Sequence, residues 1–213
     1  MKRLNNKGVT LIEILVGMAI GSIVLLAAFT IFNYTSSSYS STSKKITAQE
    51  EAEYASNFIY ELLVESTDVR VTHATVGSGL GSARCKVLVV TSNEYKVDDS
   101  TGKNTAYRKY NFVVFNEDTN KLYFTSGLSN EEYSTAIVEN YTNSINDDTK
   151  LLAEHVSAFD AEAGNVLEGE SVNYSLSVSD GSGNFSVNND VYSRNTEVKE
   201  ATEEPTEEPT TAP

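Results

Sequence analysis

A chain of 213 residues with a formal net charge of -14, in which 30 Asp and Glu outnumber 16 Lys and Arg, offers a poor surface for a polyanion, so no nucleic-acid partner is expected. A single cysteine, Cys85, excludes an intrachain disulfide and reads as a small buried hydrophobe. The two histidines, His73 and His155, stand far apart, with no Cys/His cluster at metal-ligand spacing. No serine sits in a Gly-x-Ser-x-Gly context, so the expectation is a protein that is not an enzyme.

In chain order, the first feature is a basic start, with Lys2, Arg3 and Lys7 and no acid before Glu13. Residues 9–32 follow as an apolar run interrupted only by Glu13. As a helix this run spans about 36 Å, more than a bilayer core of about 30 Å, so it predicts a transmembrane segment. The flanking cations keep the N-terminus cytoplasmic and send the remainder outward, in a single-pass topology. A signal peptide is disfavoured, because its apolar region is only about 7–15 residues long and is followed by a small-residue exit that is lacking here. A carboxylate at mid-bilayer depth costs on the order of 3 kcal/mol, and less near the interface, so Glu13 is expected to have a partner.

The stretch Gly8-Val9-Thr10-Leu11-Ile12-Glu13, behind a basic leader and ahead of the apolar run, resembles the N-terminal signature of type IV prepilins and of the pseudopilins of type II secretion. The resemblance covers strongly only the first 30 or so residues. It implies a leader of residues 1–8, cleavage after Gly8 by a prepilin peptidase, and N-methylation of Val9 by the same enzyme. It also implies that Glu13, as the fifth mature residue, meets the terminal amine of a neighbouring subunit. Val9 departs from the commoner Phe or Met. The implied partners are the peptidase/methyltransferase, other pilins or pseudopilins, a membrane assembly platform and the lipid bilayer. The chemistry agrees: Gly8 presents no side chain to a protease and weakens the helix at its start. An amine paired with Glu13 in low dielectric fixes register, since a misplaced subunit leaves the carboxylate alone.

Residues 33–45 are polar and serine-rich, with Tyr34 and Tyr39 at headgroup level. From Thr47 to about Thr67, Ala55, Phe58, Ile59, Leu62 and Leu63 recur at helical spacing while Glu50, Glu51, Glu53, Glu61 and Glu65 take the polar side, so an amphipathic helix is predicted. The spacing shows two helices with a linker; the pilin resemblance implies one continuous spine. Residues 68–83, with Gly77, Gly79 and Gly81, lack the Gly-Lys-Ser/Thr ending of a nucleotide loop and read as an ordinary loop. Residues 86–90 predict a strand, 94–104 a surface loop, and 107–125 a hairpin turning at Asn116-Glu117-Asp118-Thr119-Asn120. Residues 129–150 read as loop with a short strand near 135–138.

Residues 151–159 predict a strand ending in a bend at 160–164. Val172, Tyr174, Leu176 and Val178 then alternate strictly with polar residues, which predicts a half-buried strand, and Asp180-Gly181-Ser182-Gly183-Asn184 turns into a last strand over 185–192. The expected fold is α+β and pilin-like, a long N-terminal helix packed on an antiparallel sheet in a head spanning 68–195. The hairpin, Leu151 and Leu152, the 172–179 strand and Tyr192-Ser193-Arg194-Asn195, in this order, are similar to the J-type minor pseudopilins and their W-type pilus relatives. Residues 196–213 repeat Thr-Glu-Glu-Pro and are expected to be a disordered acidic tail. No cofactor is expected. Asp98 to Asn104 and Asp180 to Asn184 read as Asx turns without EF-hand spacing, although some pseudopilins hold calcium in a late loop. The expected function is a filament subunit, an initiator or tip component of a pilus or of a secretion or competence pseudopilus. The alternative is a monomeric membrane-anchored adhesion module.

Overall fold

The structure is a computed structural model and describes residues 10–76, 83–97, 104–145, 150–181 and 183–195. One helix, α1 (Leu11–Val64), runs for 54 residues without interruption. At 1.5 Å per residue it is about 80 Å long. The serine-rich stretch expected as a possible linker is therefore helical throughout. Just beyond it, Thr47 Oγ1 donates to the Ser43 carbonyl at 3.2 Å.

The head holds two antiparallel sheets where a single meander was expected. The first has five strands in sequence order, β1 (Asp68–Val76), β2 (Ala83–Val97), β3 (Asn104–Asn116), β4 (Lys121–Ser129) and β5 (Lys150–Ala153). The second has three, β6 (Val156–Ala163), β7 (Val172–Ser179) and β8 (Asn184–Val191), with a single 3-10 turn, Val166–Glu168, between β6 and β7. The predicted hairpin is the β3–β4 pair, and the alternating strand is β7, whose Val172, Tyr174, Leu176 and Val178 are all buried.

Four expectations are corrected. Residues 68–76, read as loop, form β1. Its Val69 is buried and every residue of it pairs with β2, so the pairing supplied what a mixed polar sequence did not signal. Strand β2 continues through Val97, into the expected surface loop. Residues 135–138, read as a strand, open a helix, α2 (Thr135–Thr142): Ser134 caps it by accepting from the Ile137 amide at 3.4 Å, and Ile137, Val138 and Thr142 share its buried face. The strand expected over 151–159 is broken in two, and the bend expected at 160–164 is largely strand, since β6 runs to Ala163. The break falls at His155, which has a φ of 54°, and there the chain leaves the first sheet for the second. The expected loop at 77–82 and the loop at 98–103 lie outside the described residues.

Two cores result. Ala48, Ala52, Ala55, Ile59 and Leu63 of α1 face Leu88, Val90, Val113, Leu122, Leu176 and Val178. The opposite face of the five-stranded sheet packs Val87, Val89, Tyr110, Phe112 and Val114 under Ile137, Val138 and Ile145. The unbroken apolar run of β2 follows from this sandwiching: even residues look to α1, odd ones to α2, and neither face is wet. Cys85 lies in the second core, fully buried, and burial pushes its thiol up to about 11. Helix α2 approaches β4 closely because Gly127 has no Cβ; one there would overlap the ring of Tyr141, whose hydroxyl donates to the Leu128 carbonyl.

Candidate functional site

The candidate site is the half of α1 that the head does not cover. Leu11, Ile12, Leu15, Met18, Ile23, Leu25, Leu26, Phe29 and Phe32 are all exposed, from 58% to 78% of their surface, a continuous apolar cylinder among residues that a water-soluble protein would bury. Leu11–Val64 is long and apolar enough to cross a membrane, and its most apolar stretch is not buried against the head at all. Tyr34 and Tyr39, also exposed, follow Phe32 by two and seven residues, within about two turns of it.

Glu13 stands in the first turn of this helix. Thr10, in extended backbone conformation, is its N-cap, and the Thr10 carbonyl accepts from the amides of Glu13 at 3.0 Å and Ile14 at 3.3 Å. Thr10 and Glu13 thus have the spacing of a capping box, a local use for the acid that sequence reasoning had passed over. The box is not closed: the Thr10 side chain makes no capping bond. Among the described residues, no hydrogen bond or ion pair engages the Glu13 carboxylate, which is exposed. Gly17 and Gly21 follow Glu13 at four-residue intervals, and a Cβ at either would meet nothing within 4 Å. Glu13 therefore looks out over a helix face with little side-chain bulk, where another helix can come close. Lys2, Arg3, Lys7, Gly8 and Val9 lie outside the described residues.

The other half of α1 is positioned by polar contacts that the sequence did not signal. Ser56, on the buried face, joins Tyr174 and Asn189: the Tyr174 hydroxyl donates to the Ser56 carbonyl at 2.8 Å, and the Asn189 amide donates to both hydroxyl oxygens, each at 2.8 Å. Burial raises the Tyr174 hydroxyl above its usual range. Glu51, read as a solvent-facing acid, accepts from the Glu154 amide at 3.0 Å, beside the switch between sheets. Glu154 in turn takes a 2.8 Å bond from Lys121, which holds its carboxyl below the usual range, as the bond from Lys86 does for Asp160. At the far end of α1 the segment Ser193-Arg194-Asn195 satisfies the last helical carbonyls. The Arg194 amide donates to Val64 at 2.9 Å and Asn195 Nδ2 to the Glu65 carbonyl at 2.8 Å. The helix is thereby clasped to the end of the fold.

Among the described residues no group of three or more His, Cys, Asp or Glu is arranged to hold a metal ion. Residues 3–29 match the prokaryotic N-terminal methylation motif. No curated protein and no solved structure matches the chain. The motif implies processing by a prepilin peptidase and methyltransferase, and it continues into a spine helix that is bare where a membrane would cover it and packed where the β head begins. That motif and this α+β architecture support assignment of the chain to the type IV prepilins and pseudopilins, as a membrane-anchored structural subunit.

Proposed function

We propose that the protein is a minor pilin or pseudopilin that starts or tips a filament, a type IV pilus or a secretion or competence pseudopilus. In this reading Lys2, Arg3 and Lys7 hold the leader on the cytoplasmic side, the peptidase cuts after Gly8, and the amine of Val9 is methylated. The assembly platform then draws the bare helix out of the bilayer into a bundle of like helices. The head ends outside, at the cell surface or in the periplasm.

The observation that carries the reading is the exposed Glu13 carboxylate, without a partner among the described residues, on an apolar helix. In lipid such a group is costly, and a cationic amine from the neighbouring subunit would offset that cost only in one register. The similarity of the hairpin, Leu151-Leu152 and the closing Ser193-Arg194-Asn195 to J-type and W-type subunits supports the initiating or tip role.

The mature N-terminus and the behaviour of Glu13 test this together. Mass spectrometry of the protein from membranes should find chains that start at methylated Val9. Glu13→Ala and Glu13→Gln should be processed normally yet crosslink to partner subunits several-fold less than the wild type. Unprocessed Met1 chains would favour a monomeric anchored adhesion module, and equal crosslinking of all three forms would sink the pairing role of Glu13.

A further inference from the structure

We propose that the acidic segment after Asn195, residues 196–213, docks into the open groove at the far end of its own head. This groove, about 1460 Å³ in volume, lies where α1 ends, and Arg70, Arg108, Lys109, Arg194 and Tyr133 line it. One wall is the end of the β2–β3 ribbon. Strand β1 stops with Asp68 opposite Thr91 and β4 with Ser129 opposite Arg108. From Glu94 and Tyr107 outward, the two strands therefore pair with each other alone among the described residues.

Charge favours this groove over the rest of the acidic head as the seat of an anionic segment. Between residues 46 and 195 the described residues include nine Lys and Arg and nineteen Asp and Glu. The groove lining takes four from each set, Glu65, Asp68, Glu94 and Glu132 being its acids. The rest of the head is left with five cations against fifteen acids, so the balanced groove repels an acidic peptide less than that remainder taken together. Arg70 is held by Asp68 at 2.7 Å, but the other cations are available for exchange. The Arg108–Glu132 and Lys109–Glu94 pairs are both 3.6 Å long, on side chains at least 39% exposed, and such pairs are weak. Arg194 has no ion-pair partner among the described residues.

The segment itself starts at the groove. Asn195 belongs to the lining and is held there by its bonds to the Glu65 carbonyl and to Ser193 Oγ. Residues 196–213 carry Glu197, Glu200, Glu203, Glu204, Glu207 and Glu208 against one cation, Lys199. Glu203 is eight residues beyond Asn195, a reach of up to about 26 Å, and a short tether raises the effective concentration to the order of mM. An acidic ligand arriving from outside has to displace this segment first. The inference stands apart from the filament reading, since it concerns the head alone.

Zero-length carbodiimide coupling of the dilute full chain in detergent micelles, followed by digestion and mass spectrometry, tests it. The expected product joins Lys109 to a glutamate of residues 197–208 within one chain. Its yield should fall several-fold in the Arg108→Gln/Arg194→Gln double variant and in about 0.5 M salt, where screening is short-ranged. Coupling of Lys121 to Glu154, which are 2.8 Å apart, should persist in the double variant and so report an intact head. The proposal is overturned if Lys121–Glu154 forms while Lys109 couples to no acid beyond Asn195. Coupling only between chains, or a Lys109 yield indifferent to the double variant, would overturn it equally.

Discussion

The two halves of α1 are one helix by backbone and two different objects by surface. From Leu11 to Phe32 the large apolar side chains are all exposed, and none packs on the head. From Ala48 to Val64 one face alone is buried, and its lower part is built from small residues, Ala48, Ala52, Ala55 and Ser56, before Ile59 and Leu63. Small residues let β7 and β8 lie close against the helix, with Tyr174 reaching across to Ser56. The comparison separates apolar content from burial: the more hydrophobic half is the one the fold leaves uncovered, a surface suited to lipid rather than to water.

The largest break in this comparison should come from truncating matched positions in each half. Ile59→Ala empties a fully buried site and should cost about 2–5 kcal/mol of head stability, read by near-UV circular dichroism during denaturant titration in micelles. Leu25→Ala, at a position 71% exposed, should leave that transition unmoved within about 0.5 kcal/mol. A comparable loss from both would mean that the two halves are not energetically distinct.

A smaller effect is expected from the polar clasp. Tyr174→Phe leaves the Ser56 carbonyl and the Asn189 amide each short of a bond in a buried setting, for a loss of about 1–3 kcal/mol. A neutral result would mean that water takes the hydroxyl's place.

The smallest effect is electrostatic. Glu154 and Asp160 have their carboxyls lowered by Lys121 and Lys86. A lowered folded-state value means that the stabilisation is present above the usual carboxylate range, about pH 4, and fades as pH falls through the folded values. Because these side chains are 42% and 75% exposed, the slope should be shallow and screened by salt. Lys121→Met with Lys86→Met should flatten it, as read from the thermal midpoint between pH 5 and 3; an unchanged slope would assign it to other acids.

Much of this was legible in the residues themselves. The start Gly8-Val9-Thr10-Leu11-Ile12-Glu13, the apolar run behind it, the period-two pattern of β7 and the Asn-rich turn before β4 are local signals, each fixed by side chains a few positions apart. They gave the anchor, the family and the main hairpin. Other features were not local. Whether the serines of residues 33–45 extend the helix or loosen it was undecided by their modest propensity; in the fold the helix continues through them. Residues 135–138 are apolar and β-branched in part, and only the Ser134 cap and the apolar face of the adjacent sheet make them helical.

What the sequence by itself determined is the membrane-competent helix, the methylation motif and the alternation of the clearest strands, since these depend on composition and short-range period alone. The tertiary structure decided the rest. Residues 68–76 became a strand because β2 was there to pair with, and the chain changed sheets at His155 within a site braced by Glu51 and Lys121. It also brought Ser193-Arg194-Asn195 back to the end of α1, more than a hundred residues away in sequence. Those outcomes rest on long-range hydrogen bonds and shared burial, whose partners no window of neighbouring residues contains.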